Sequence, residues 1–452
     1  MAGHVPYRDF YYDQAPLLPY AFGLALAPFH YGEVAARLFA IACTLATLLV
    51  AFATAARLGG RLAGLVAFAL LVTNLDFLPE VSAGVTANGS LTALVATLAV
   101  CLLTYDRLGP ALLLAVVAAG LRQVFIPLPF VLACYVALAR RRPWTALLAG
   151  MVPVAVVYGG FLLVGGETAW YGMIPPLRSD KVVRVSSPIG LRFELLSFRD
   201  QAMHVFADYL PFWLCAGPAA YLAFRRGHPR AALLATLAAA CTLILLANIV
   251  PYVGNPRYPV SQLPLVAILG GVAVAALVDR AQLGTSRRAL VGALAMVVVA
   301  APLLASRPSS FVDDFKAKPP LERFLQASAY VSSIAPRDGT LVTLETPFAT
   351  ETGLRLPRGL EAGSWGVYKN VSEADADRLG VVTYKQLADM VEQRVGDVVI
   401  ESDRYGFVKN YIANDEQKAR MERALKDGYE LKQTFGSLSD WGDTRVWQRK
   451  PT

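Results

Sequence analysis

Apolar runs long enough to cross a hydrocarbon layer, separated by short arginine clusters, constrain this chain more than any single motif. A bilayer core of about 30 Å takes roughly 20 helical residues. About ten segments approach that length: residues 33–56, 62–75, 86–104, 110–122, 124–139, 145–164, 205–224, 231–250, 259–278 and 289–305. With 55% hydrophobic and 17% charged residues, 452 residues are too apolar for an ordinary soluble fold. The expected fold is therefore a polytopic α-helical membrane protein.

The net charge of +8 gathers in Arg57/Arg61, Arg107, Arg140 to Arg142, Arg225/Arg226/Arg230 and Arg280/Arg287/Arg288, each between apolar runs. That pattern reads as membrane topology rather than as a nucleic-acid face, and the positive-inside rule makes those connections cytoplasmic. The opposite, external side then receives the N-terminus, residues 76–85, the long loop 165–204, the turn 251–258 and everything after Ser306. Cys43, Cys101, Cys134, Cys215 and Cys241 all lie inside apolar runs, which indicates neither a disulfide framework nor a thiolate metal site.

Beyond residue 305 charges become frequent and the apolar runs shorten. Helices are expected at 321–334, 384–394 and 415–426, and strands at 339–344, 397–402 and 444–449. The chain thus divides into a membrane part, 1–305, and an external α/β domain, 306–452, able to lie over a site on the same face.

Just before the first long apolar run stands Pro6-Tyr7-Arg8-Asp9-Phe10-Tyr11-Tyr12-Asp13-Gln14-Ala15-Pro16. A second stretch, Asn255-Pro256-Arg257-Tyr258-Pro259, opens a later apolar run. Together with the helical array and external tail, these resemble the GT-C superfamily of polyprenyl-phosphate-dependent sugar transferases. The branch is the one containing protein O-mannosyltransferases and lipid A aminoarabinose transferases. The resemblance implies that Asp9 is the catalytic carboxylate, and that one further membrane helix precedes the start of this sequence. The alternative to such a missing helix is a segment 1–20 that docks on the membrane surface.

Transfer from a polyprenyl phosphate already has a good leaving group. The enzyme needs a base for the acceptor hydroxyl and cations for the phosphate as charge develops. Asp9 is the candidate base; the competing reading is an interfacial Asp hydrogen-bonded to backbone. Asp13 is a second carboxylate or a helix cap before Pro16. Asp76 and Glu80 form a further acidic pair on the same face, for which the resemblance implies a shared pocket or a divalent cation. Asn88 stands where relatives carry an acid, which weakens the case for metal, and His4, His30, His204 and His228 show no metal-binding spacing.

Arg257, at the external end of an apolar run, can hold a phosphate bidentately, with Tyr258 packing on isoprenoid or sugar. The bland reading is a snorkelling arginine beside an interfacial tyrosine. Arg122 interrupts an apolar region where a charge is costly, so it should face a polar cavity or the interface. Lys181, in the basic loop 178–184, could gather anionic head groups.

The function expected is a membrane glycosyltransferase of hexosyl or pentosyl type. It would move a sugar from a polyprenyl-phosphate donor to an external lipid, cell-envelope glycan or protein acceptor, with inversion, in a bacterial inner membrane. Two other classes compete: a transporter or flippase of a lipid-linked saccharide, and a non-catalytic membrane scaffold. Against the first stand the lack of an internal repeat or paired broken helices and of a GxxxxGK[ST] phosphate loop.

Overall fold

The computed structural model describes residues 4–29, 31–74, 77, 88–140, 143–173, 231–249, 258–280, 320–368, 371–403, 407, 414–436 and 442–451. The expected spans 205–224 and 289–305 lie outside them. After an irregular segment comes helix α1, Leu18–Leu26. The apolar runs then form α2 Glu33–Thr73, α3 Asn88–Thr104, α4 Leu108–Leu121, α5 Pro127–Arg140, α6 Pro143–Met173, α7 Ala231–Ile249 and α8 Leu263–Arg280. By length and composition, Glu33–Thr73, Thr145–Met173 and Val260–Asp279 can cross a membrane; α3, α4, α5 and α7 are apolar but shorter.

The expected runs 33–56 and 62–75 fall on two limbs of α2, which ends at Thr73 and is interrupted at Gly59 (φ −133°, ψ 17°) and Gly60 (φ 83°, ψ 175°). This interruption reverses the chain: a Cβ on Gly64 would lie 2.9 Å from the Cβ of Ala56. A straight helix would hold those residues about 12 Å apart. Gly60 takes the positive φ that only glycine adopts freely. The hairpin packs on α8 at backbone contact, since a Cβ on Gly271 would meet the Ala63 carbonyl oxygen at 2.2 Å. Small residues at the crossing permit that approach, the usual basis of helix association in lipid.

Near the hairpin turn, Arg57 donates to the Thr104 carbonyl at 2.8 Å and lies 4.0 Å over the Tyr105 ring. Two of the arginine-bearing connections, 57–61 and 105–107, therefore share one end of the bundle.

The C-terminal residues form an α/β unit. A four-stranded sheet has the order β1 Leu341–Thr343, β4 Val398–Ser402, β6 Thr444–Arg449, β5 Tyr429–Phe435. β1 and β4 are parallel, with Leu341 opposite Val398; β6 runs antiparallel to both its neighbours, with Val399 opposite Trp447 and Tyr429 opposite Arg449. A small parallel pair joins β2 Val367–Tyr368 to β3 Val382–Thr383.

The central strand β4 is buried along its whole length, and its alternating side chains feed two cores. Val398 and Ile400 pack with Phe324, Ala327 and Val331 of α9 Pro320–Ile334 and with Phe348 of α10 Pro347–Thr352. Val399 faces the other way, with Leu387 and Val391 of α12 Tyr384–Glu392 and Met421 and Leu425 of α13 Asp415–Gly428. Capping boxes start α12 at Thr383 and α13 at Asn414. A short helix, α11 Glu373–Leu379, begins at the Ser372 cap and ends on left-handed Gly380.

Candidate functional site

The segment before α1 is a set of turns wedged between α6 and the α/β unit. Tyr7 is left-handed (φ 67°), and its N–H donates to the Phe10 carbonyl at 2.8 Å. Its buried side chain occupies space that glycines on α6 leave open: a Cβ on Gly165 would meet the Tyr7 Cβ at 2.5 Å, and one on Gly172 would lie 3.1 Å from the Tyr7 ring. On the other side Tyr11, fully buried, shares a hydroxyl–hydroxyl hydrogen bond of 2.9 Å with Tyr368 of β2. Tyr171 of α6 completes a three-ring cluster, with centroids 5.6 Å from Tyr368 and 6.4 Å from Tyr11. Arg378 of α11 pairs with Glu167 of α6 beside it.

Within this segment Asp9 is heavily engaged. The Arg8 guanidinium donates to both its carboxylate oxygens at 2.8 Å, and the Val5 N–H donates to Oδ2 at 2.6 Å. The Arg8 hydrogen bonds, then the Val5 N–H, hold the Asp9 carboxyl far below the usual carboxylate range. Asp9 is thus anionic but poorly disposed to take a proton while Arg8 stays bound. Asp13, by contrast, is buried at 8% exposure. Burial, aided by the charge of Asp13, pushes the Tyr12 hydroxyl up, so Tyr12 remains neutral.

Arg122 is buried at 7% exposure, where α4 ends in extended backbone before the 3-10 turn Gln123–Phe125. Its Nη1 donates to Ser261 Oγ at 3.0 Å. Ser261 belongs to the 3-10 turn Tyr258–Gln262 that leads into α8. The two turns pack against the same helix, α7. The N-terminal segment reaches this place too: the Leu17 N–H donates to the Gly120 carbonyl at 2.9 Å, and a Cβ on Gly120 would strike the Leu17 side chain at 2.4 Å.

The fold therefore gathers the segment bearing Asp9 and Asp13, the helix end bearing Arg122 and the turn opened by Tyr258. Asp76, Glu80, Lys181 and Arg257 lie outside the described residues. Ser261, Gln262, Gln123 and Thr92 were not among the expected site residues, because neutral polar side chains at the ends of apolar runs give little signal. Among the described residues no group of three or more His, Cys, Asp or Glu could hold a metal ion.

Neither a protein-family profile nor a curated protein sequence matches the chain. Solved structures do match its fold. ArnT from Cupriavidus metallidurans bound to undecaprenyl phosphate aligns with a TM-score of 0.55 at 16% identity, over 97% of this chain and 88% of that one. The same protein in the apo state gives 0.54 at 14%, with the same coverage. The Archaeoglobus fulgidus oligosaccharyltransferase in complex with Zn and sulfate gives 0.52 at 10%, over 97% of this chain and 66% of that one. At such identities the likeness is one of fold alone, shared with ArnT and the oligosaccharyltransferase.

Proposed function

We propose that this chain is an integral membrane glycosyltransferase that moves a sugar from a polyprenyl-phosphate donor to an external hydroxyl acceptor, with inversion. The observation that carries this reading is Arg122, a buried guanidinium at the helix ends where the N-terminal acidic segment is stitched in. A buried cation there suits a lipid phosphate, whose charge grows as the sugar departs. The likeness to ArnT bound to undecaprenyl phosphate supports the same donor class. Arg257, next to Tyr258 in sequence, is proposed as a second phosphate cation, and Lys181 as a head-group cation. Asp76 and Glu80 are proposed acids of the same face. The residues 1–305 and 306–452 are proposed as the catalytic and external domains, and the bacterial inner membrane as the location.

Asp9 is the proposed general base once an acceptor displaces the Arg8 guanidinium; Asp13 is the alternative carboxylate. In a transfer assay with the purified protein and polyprenyl-phosphate sugars, the essential base replaced by Asn should lower turnover by about 100-fold or more. Asp9→Asn and Asp13→Asn, assayed side by side, identify which. Arg122→Ala should weaken donor use by about 1.5–3 kcal/mol with any acceptor, the cost of a charged hydrogen bond. Movement of labelled lipid across vesicles without sugar transfer would replace the enzyme reading with the flippase one.

A further inference from the structure

At the same helix ends, several buried polar atoms have no hydrogen-bond partner. Both the Oε1 and Nε2 of Gln262 are in this state, as are the Thr92 hydroxyl and Gln123 Oε1. Gln262 is 1% exposed and Thr92 is fully buried. These residues lie on elements that pack together. Gln262 follows Ser261, the acceptor of the Arg122 hydrogen bond, and Gln123 follows Arg122 itself. Thr92 sits in the second turn of α3, the helix against which the Tyr258–Gln262 turn packs.

An unpaired buried carboxamide is expensive to keep. Each such donor or acceptor has lost its water without replacement, whereas an apolar side chain of similar shape would carry no such cost. The neighbours Val260, Leu263 and Leu265 are apolar and buried, so a leucine at 262 would suit the local surroundings better. Orphaned buried polar groups are rare in native proteins, and a site that awaits a ligand is one of the few reasons for them. A carboxamide offers two donors and one acceptor without charge, which matches a pair of hydroxyls on adjacent sugar carbons. It offers little to a phosphate anion, which the Arg122 guanidinium, bonded to the adjacent Ser261, serves better.

We propose that Gln262, with Thr92 and Gln123, forms the subsite for a neutral, hydroxyl-bearing hexose of the donor, beside but separate from the phosphate-holding Arg122. This deepens the glycosyltransferase reading and rests on it. Gln262 is then a specificity-determining residue: a sugar lacking the matched hydroxyls leaves the amide unpaired in the complex, and such sites discriminate strongly.

The test measures binding of two probes to the full-length protein in nanodiscs: undecaprenyl phosphate alone, and undecaprenyl phosphate carrying glucose or mannose. Wild type should hold a glycosylated lipid at least tenfold more tightly than the bare one. Gln262→Leu should lose that advantage while binding the bare lipid as wild type does, and its ligand-free melting temperature should equal or exceed that of wild type. Thr92→Val should reduce the advantage in the same direction. Arg122→Lys should instead weaken both lipids. Equal loss of both lipids in Gln262→Leu, an unchanged preference, or a ligand-free melting temperature several degrees lower would each overturn the subsite. If wild type binds both lipids equally, the subsite falls and the polyprenyl-phosphate reading stands; if it binds neither, that reading itself falls.

Discussion

Two carboxyl groups in this protein are driven in opposite directions. At Asp9 the Arg8 and Val5 hydrogen bonds outweigh desolvation. At Glu345, which follows β1 in the α/β unit, desolvation wins. Its carboxyl accepts from Thr343 Oγ1 at 2.9 Å and from Ser402, but it is fully buried and Glu401 adds repulsion, so it is pushed up to about 7. Arg445 stands 3.9 Å from Glu401 and pairs with Asp403 at 2.9 Å, so it serves those acids. A raised native value means the native state binds the proton more tightly than the unfolded chain. The contribution is present below the usual value of 4.5 and is lost as pH rises through about 7. The full swing is on the order of 3 kcal/mol. Glu345→Gln keeps both hydroxyl contacts, so amide exchange of segments 341–346 and 398–402 should be nearly pH-independent in that variant and faster at pH 8 than at pH 5 in wild type, after correction for intrinsic exchange. Parallel pH profiles would assign the titration elsewhere. At this scale the sequence made Arg122 conspicuous, because a charge inside an apolar run demands a polar partner. Gln262 stayed hidden, since only the packed structure reveals that its amide has none.

Elements were legible wherever hydrophobic period and length agreed. The helices at 320–334 and 415–428 and the strands at 398–402 and 444–449 fall within a few residues of their expected bounds. Strand β5 was not anticipated: Tyr429 is its one fully buried residue, and an edge strand so exposed carries little apolar alternation. The contacts that hold the N-terminal segment were equally invisible, because Tyr11 and Tyr368 are 357 residues apart. They differ in strength. The Glu167–Arg378 pair, which joins α6 to α11 beside the segment, is about half exposed on both sides, and such pairs contribute about 0–1 kcal/mol. Deleting the fully buried Tyr11 ring should cost more, about 3–5 kcal/mol by analogy with other buried aromatics. Tyr11→Ala should therefore speed tryptic cleavage after the exposed Arg8 by tenfold or more, and Arg378→Ala by less than about threefold. Similar rates in the two variants would mean that the rings do not hold the segment.

For the whole molecule, the same contacts fix which end of the bundle carries the site. The first limb of α2 starts at Glu33, whose N–H donates to Glu351 of α10 at 2.8 Å. Gly32, at the cap position, provides no side-chain bond, so the C-terminal unit caps the first long helix and its carboxylate complements the helix dipole. From Glu33 the chain runs about 26 residues, roughly 39 Å, to the Gly59–Gly60 turn. There Arg57 meets the end of α3, and α4 then returns about 21 Å to Arg122. The Leu17–Gly120 hydrogen bond sets Arg122 beside the N-terminal segment and so on the side of the α/β unit, and two of the arginine-bearing connections, 57–61 and 105–107, occupy the other end. Sequence charge had suggested this division; the docking of the α/β unit on α2 and α6 could not be read from it. If the positive-inside rule sets the orientation, the α/β unit is external. Both Ser333 and Arg61 are exposed, which makes them suitable reporters. In intact spheroplasts of a cysteine-free background, a membrane-impermeant maleimide should label Ser333→Cys at once and Arg61→Cys only after the membrane is opened. The reverse pattern would place the α/β unit in the cytoplasm, and with it Arg122 and the acidic segment. Transfer to an external acceptor would then be impossible from this site, because donor phosphate and acceptor would lie on opposite sides of the membrane.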